Sequence, residues 1–264
     1  MVIAQILRRR YGGPENTRQR WVKANGMRMA RVKTGVLISG RGSNLQALID
    51  AAADYAYPAE IAVVVSDRRD APGLQKAAAA GIPHLTFPAA DRGAFAQAAK
   101  AALHNAGVEL VALAGFMRIL DDSFVATWRD RLINIHPSLL PAFPGLHPQR
   151  QALAAGVKFS GCTVHFVRAA VDTGPIVGQA VVPVEPGDDE DRLAARILAA
   201  EHRLYPLALR AIAEGRTRIA GNTVKIAGGL SPDIVVFNPL ESLASPPGSA
   251  IPASERTQPR GDQC

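Results

Sequence analysis

The chain has 264 residues, 48% of them hydrophobic and 20% charged, enough to bury a full core in one large domain or two small ones. No stretch approaches 18 uninterrupted apolar residues, which argues against a membrane span, and the two cysteines, Cys162 and Cys264, fit neither a metal-ligand spacing nor a disulfide framework, so a reducing cytoplasm is the expected setting. The net charge of +7 hints at nucleic acid, but residues 1–33 hold seven Arg, two Lys and one Glu, while the remaining residues hold 21 basic against 22 acidic.

Residues 1–32 therefore read as a basic N-terminal extension on a near-neutral body, disordered or solvated. Three origins stay open for it: a start codon placed too early, a flexible tail, or an Arg-rich, acid-poor transit peptide. From Lys33 the pattern is regular. Gly35 to Ser39 (GVLIS) predicts a buried strand and Asn44 to Ala53 a helix. Ile61 to Val65 is a second strand, and Gly73 to Ala80 a helix stopped by Gly81-Ile82-Pro83. His84 to Phe87 is a third strand, and Asp91 caps a helix reaching Ala106, ended by Gly107. Leu110 to Ala114 is a fourth strand, Asp121 to Arg129 a helix, and Leu132 to Ile135 a fifth strand. This alternation predicts an α/β fold, a mostly parallel sheet with helices on both faces. Val157 to Val167 and Ile176 to Val184 then read as an antiparallel pair, half-buried from the alternation of Thr163, His165 and Val167 with Val164 and Phe166. Asp188 to Glu214 predicts a long helix kinked or split at Pro206. Residues 226–264 form a Pro/Ser/Gly-rich tail, with a small strand expected at Asp233 to Phe237.

Two stretches carry chemistry. The first strand runs into Ser39-Gly40-Arg41-Gly42-Ser43-Asn44. Its glycines allow a tight turn, Ser43 or Asn44 can cap the next helix, and free N–H groups at a helix start suit a phosphate. The third glycine of a dinucleotide fingerprint is missing, so a plain strand–helix turn is the competing reading. The second stretch is Asn134-Ile135-His136-Pro137, continuing to Gly145. Asn134 and His136 lie two apart at the carboxyl end of a strand and so project to one side, where open α/β sheets bind ligands. Asn offers an amide donor for a developing oxyanion and His a proton near neutral pH. Asp172, in a Val-Asp-Thr-Gly-Pro turn, is either an Asx-turn acceptor or the group that orients His136.

The segments GVLISGRGSNLQALID, LVALAGFMRIL, LINIHPSLLPAFPGLH, GCTVHFVRAAVDTGPIVGQAVVPV and AEHRLYP, in that order, resemble the folate-dependent glycinamide ribonucleotide formyltransferase family over about residues 33–225. The resemblance implies a Rossmann-like formyltransferase fold with an antiparallel C-terminal extension. It also implies transfer of a formyl group from 10-formyltetrahydrofolate to the amine of glycinamide ribonucleotide in purine biosynthesis, without a metal. It assigns Asn134, His136 and Asp172 to catalysis. Gly42, Ser43 and Asn44 match the phosphate loop, and Glu201 the ribose contact. Arg92, Met117, Arg118, Ile119, Leu120, Asn134 and the loop from Arg168 to Val171 match the folate site. His147 and His165 lie near it. Arg41 occupies a variable position, where an arginine could add a phosphate contact. The resemblance implies no nucleic acid or membrane partner and leaves a homodimer open. Related enzymes share parts of the pattern. A methionyl-tRNA formyltransferase would carry a further C-terminal barrel with a basic surface, and a formyltetrahydrofolate deformylase a regulatory domain in front.

Overall fold

The computed structural model describes residues 30–88 and 91–227, except for the side chain of Arg92. All of these fall in the first of two units into which the chain divides, 1–229 and 230–264. The basic extension before residue 30, the tail from residue 228 and the strand expected at Asp233 to Phe237 lie outside the described residues.

The parallel half begins with β1 (Val32–Ile38), α1 (Ser43–Ala53), β2 (Ala59–Ser66), α2 (Gly73–Ala79) and β3 (His84–Thr86). It continues through α3 (Arg92–Asn105), β4 (Leu110–Leu113), α4 (Asp122–Thr127) and β5 (Leu132–His136). Then come α5 (Pro148–Ala154), β6 (Phe159–Phe166), β7 (Ile176–Pro183) and α6 (Glu190–Ala213), and a hairpin of β8 (Thr217–Ala220) and β9 (Thr223–Ile226). The main sheet has seven strands in the order β3-β2-β1-β4-β5-β6-β7, parallel from β3 to β5 and antiparallel from β5 to β7.

The order explains the composition of the strands. β1 lies between β2 and β4, and its Val36, Leu37 and Ile38 are fully buried. Val36 and Ile38 join the core beneath α1 and α6, while Leu37 faces the core shared with Phe95, Leu103 and Phe124 of α3 and α4. Burial on both faces gives a continuous apolar run instead of an alternating one. The chain winds outward from β1 to β3, then returns to β4 on the other side. That reversal opens a crevice beyond the carboxyl ends of β1 and β4, the usual ligand position in such sheets.

Caps account for several helix starts. The side chains of Asp91, Asp121 and Asp189 each accept a backbone N–H from the first turn, from Ala94, Phe124 and Arg192. Asp121 is thus the cap, not the first turn, of its helix.

Four expectations need correction. First, α1 has Gly42 as its N-cap, with no side-chain cap bond, so neither Ser43 nor Asn44 fills that role. Second, β6 is not half-buried. Every residue from Ser160 to Phe166 is buried, because β5 and β7 flank it and the long helix covers it. Third, α6 is not split at Pro206 but runs 24 residues through it. Proline removes one helical N–H, but the turns on either side are pinned: Tyr205 is fully buried and donates its hydroxyl to the Leu113 carbonyl at 2.9 Å, and Tyr57 donates to the Pro206 carbonyl at 2.7 Å. Fourth, the body starts before Lys33. β1 opens at Val32, and Arg31 reaches the Ala59 carbonyl with Nε at 3.0 Å. Helix α5 and the β8–β9 hairpin were not anticipated.

Candidate active site

Three loops converge beyond the switch point. The loop after β1 is tied to the one after β4: the Ser39 N–H reaches the Gly115 carbonyl at 3.2 Å, and Ser39 Oγ accepts the Met117 N–H at 2.9 Å. Beside them β5 ends at His136 and the 167–175 loop folds over. Together they enclose a cleft of about 480 Å³.

Asn134, His136 and Asp172 all line this cleft. Asp172 Oδ2 lies 3.4 Å from His136 Nδ1 and accepts the Gly145 N–H at 2.9 Å. Asp172 takes a left-handed backbone (φ 53°), which short polar side chains tolerate better than most. The other ring nitrogen of His136, Nε2, lies 3.0 Å from the Phe143 carbonyl. Both partners of the ring are acceptors, so both contacts are satisfied only when each nitrogen carries a proton.

His165 forms the second half of the cluster. Its Nδ1 lies 3.2 Å from the Phe166 carbonyl and its Nε2 3.3 Å from the Asn134 amide nitrogen. A proton on Nδ1 leaves Nε2 to accept from Asn134, so the neutral ring satisfies both. Burial pushes the His165 pKa down, against weaker upward pulls from the Phe166 carbonyl and Asp172. His165 therefore aims the Asn134 amide. Its place in the Thr163–Val167 alternation signalled only that it shares a face with Thr163.

A second buried polar pair lines the same cleft. Asn44 Nδ2 donates to Glu201 Oε2 at 2.7 Å, with both side chains buried. This joins the first turn of α1 to helix α6, and both residues line the cleft. Burial raises the Glu201 pKa, against the opposing bond from Asn44. The two other loop residues assigned from sequence, Gly42 and Ser43, are not among the lining residues. The loop still presents free donors, because the first helical bond is Gln46 N–H to the Gly42 carbonyl at 3.0 Å.

The apolar wall comes from Met117, Arg118, Ile119 and Leu120 with Leu146 and Val171. Met117, Ile119, Leu146 and Val171 are more than half exposed, an arrangement that invites a flat apolar ligand. Arg118 lies over the Phe95 ring at 5.7 Å, with Asp67 at 4.0 Å. Arg168 also lines the cleft and binds Asp130 at 2.6 Å. Helix α3 begins at Arg92, whose side chain lies outside the described residues. Among the described residues no group of three or more His, Cys, Asp or Glu is placed to hold a metal ion, and no helix is long and apolar enough to cross a membrane.

Residues 32–209 match the formyl transferase family model. The chain belongs to the formyl transferase family. Within it, the chain is 44% identical over 196 residues to the phosphoribosylglycinamide formyltransferase of Escherichia coli, covering 73% of this chain and 92% of that protein. It is 53% identical over 204 residues to the trifunctional purine biosynthetic protein adenosine-3 of Drosophila pseudoobscura pseudoobscura, covering 75% of this chain but only 15% of that much longer protein. Among solved structures it resembles glycinamide ribonucleotide transformylase 1 of Symbiobacterium toebii, with a TM-score of 0.72, 52% identity, and coverage of 74% of this chain and 94% of that one. The Rossmann-like sheet with its antiparallel end is thus the fold of a formyl transferase, and the β8–β9 hairpin lies beyond the matched region.

Proposed function

We propose that this formyl transferase moves the formyl group of 10-formyltetrahydrofolate to the amine of glycinamide ribonucleotide, giving formylglycinamide ribonucleotide and tetrahydrofolate in purine biosynthesis. The observation that carries the reading is one cleft lined by a polar cluster, Asn134, His136 and Asp172, an apolar wall, and Asn44 at the start of the helix that follows the β1 loop. The names of the relatives support the same substrates. A cytoplasmic setting fits the reading, with Cys162 a free, buried thiol.

The residues divide the work. Met117 to Leu120, Arg168 and Val171 hold the folate, with Arg92 as a further contact. Gly42, Ser43 and Asn44 hold the phosphate, Asn44 through its backbone, since its amide nitrogen is committed to Glu201. Glu201 accepts from the ribose. Holding two substrates in register supplies much of the rate enhancement. As the neutral amine attacks the formyl carbon, its oxygen gains negative charge. Asn134 has one amide hydrogen left to donate, and His136 donates from a protonated ring. To reach the oxygen His136 must release one partner, and the neutral Phe143 carbonyl holds it less strongly than the Asp172 carboxylate. The new carbon–nitrogen bond forms, the bond to the folate nitrogen breaks, and the amine proton passes to that nitrogen. No formyl group rests on the protein.

Release of deformylated folate, followed spectroscopically, tests this. It should require glycinamide ribonucleotide and match formylated product one for one. Steady folate release with formate and no acceptor would indicate a deformylase instead.

A further inference from the structure

Helix α2 abuts the loop after β1 more closely than a side chain would allow. A Cβ on Gly42 would stand 2.6 Å from the Gly73 Cα, and a Cβ on Gly73 would stand 3.1 Å from the Gly42 Cα. The Gly73 N–H reaches the Gly40 carbonyl at 3.0 Å. One turn on, Lys76 lays its stem along the same loop: its Cδ lies 3.5 Å from the Gly42 Cβ position. Its ammonium is two bonds further out. Among the described residues that ammonium has no ion pair or hydrogen bond, although the side chain is half-buried. Lys100, by contrast, donates to Ser123 at 2.9 Å. A lysine that gives up part of its hydration without a carboxylate beside it suits an anion that arrives with the ligand.

We propose that Lys76 is a phosphate-binding residue of this enzyme, adding a mobile point charge to the backbone donors of the Gly42–Asn44 loop. The inference rests on that loop receiving the substrate phosphate. The bland alternative is a stem that packs on Gly42 with its head in water.

The test uses the full chain in four arms. Lys76→Met keeps the stem and removes the charge. It should raise the KM for glycinamide ribonucleotide roughly tenfold or more, the span expected for a hydrogen bond to a charged group. The KM for the formyl donor should stay within twofold. Lys76→Arg should recover most of the loss. With glycinamide riboside, which lacks the phosphate, Lys76→Met and the unaltered chain should turn over alike. In the unaltered protein, saturating inorganic phosphate should slow acylation of Lys76, mapped by mass spectrometry, while leaving Lys100 unaffected. A KM unchanged by Lys76→Met, an equal loss on the riboside, or acylation of Lys76 indifferent to bound phosphate would overturn the proposal. If inorganic phosphate fails to compete with glycinamide ribonucleotide in the unaltered chain, the reading of the loop itself fails, which is a separate result.

Discussion

Asp172 Oδ2 stands 3.4 Å from His136 Nδ1 and 2.9 Å from the Gly145 amide nitrogen, so one carboxylate oxygen fixes both the imidazole and the loop that follows it. The two residues are far apart in sequence, and the pairing makes them a unit. His136→Ala should cut turnover by roughly 10²–10⁴, the usual range for a positioned acid or base. Asp172→Asn keeps the volume, removes the charge and should also lower turnover. The double variant should be little worse than the poorer single one, because residues acting as a unit are strongly non-additive. Additive losses in kcat, with both KM values intact, would reduce Asp172 to a residue that shapes its own turn.

Glu201 ties function to stability. Burial raises its carboxyl pKa above the ordinary value of 4.5, with Asn44 pulling the other way. The native state then keeps this proton to higher pH than the unfolded chain does. The group's contribution to stability is full below about pH 4.5 and declines as pH rises through the raised native value. Glu201→Gln can still accept the Asn44 amide but never ionises. Its melting temperature relative to the parent should climb as pH rises from about 4.5 through the raised native value, while its KM for glycinamide ribonucleotide rises about tenfold. Melting curves that stay parallel across that range would contradict the assignment.

His165 carries the opposite sign. Burial first of all lowers its pKa below 6.5. A depressed native value means that its contribution is present above pH 6.5 and is lost as pH falls through that lower value. His165→Gln should flatten this part of the acid-side loss in melting temperature. It should also lower kcat, because the Asn134 amide loses the ring nitrogen that aims it. An unchanged acid-side slope, together with an unchanged kcat, would show that the ring only fills space.

Gly42 is constrained twice. Its φ of 67° is left-handed, and an added Cβ would meet the Gly73 Cα at 2.6 Å. Gly42→Val should cost about 1–3 kcal/mol in stability, as expected for backbone strain at one residue. It should raise the KM for glycinamide ribonucleotide far more than that for the folate. Equal effects on both would make the loop a structural turn only.

Much of this was legible because buried parallel strands write themselves as apolar runs, and β1, β2 and β4 are inner strands with helices packed over both faces. Asn134 and His136 were readable as a pair because strand period places them on one side. Their meeting with Asp172 was not, since no local spacing encodes the return of the 167–175 loop across β5. The Asn44–Glu201 bond spans 157 residues and was equally invisible. Pro206 does not split the helix, for a related reason. Helix propensity is local, whereas the Tyr205 and Tyr57 hydroxyls that pin the helix act through the tertiary fold. Helix α5 and the terminal hairpin are short, and their patterns did not stand out from the surrounding loops.

Carbon tracing follows formyl transfer to the amine at the reacting atom itself. The full chain would be incubated with glycinamide ribonucleotide and 10-formyltetrahydrofolate carrying ¹³C in the formyl group, and the products followed by NMR. The expected result is a formamide signal on the ribonucleotide that grows as the folate signal falls, at a rate that His136→Ala reduces by roughly 10²–10⁴. Label that accumulates as formate while the ribonucleotide amine stays unmodified would contradict it.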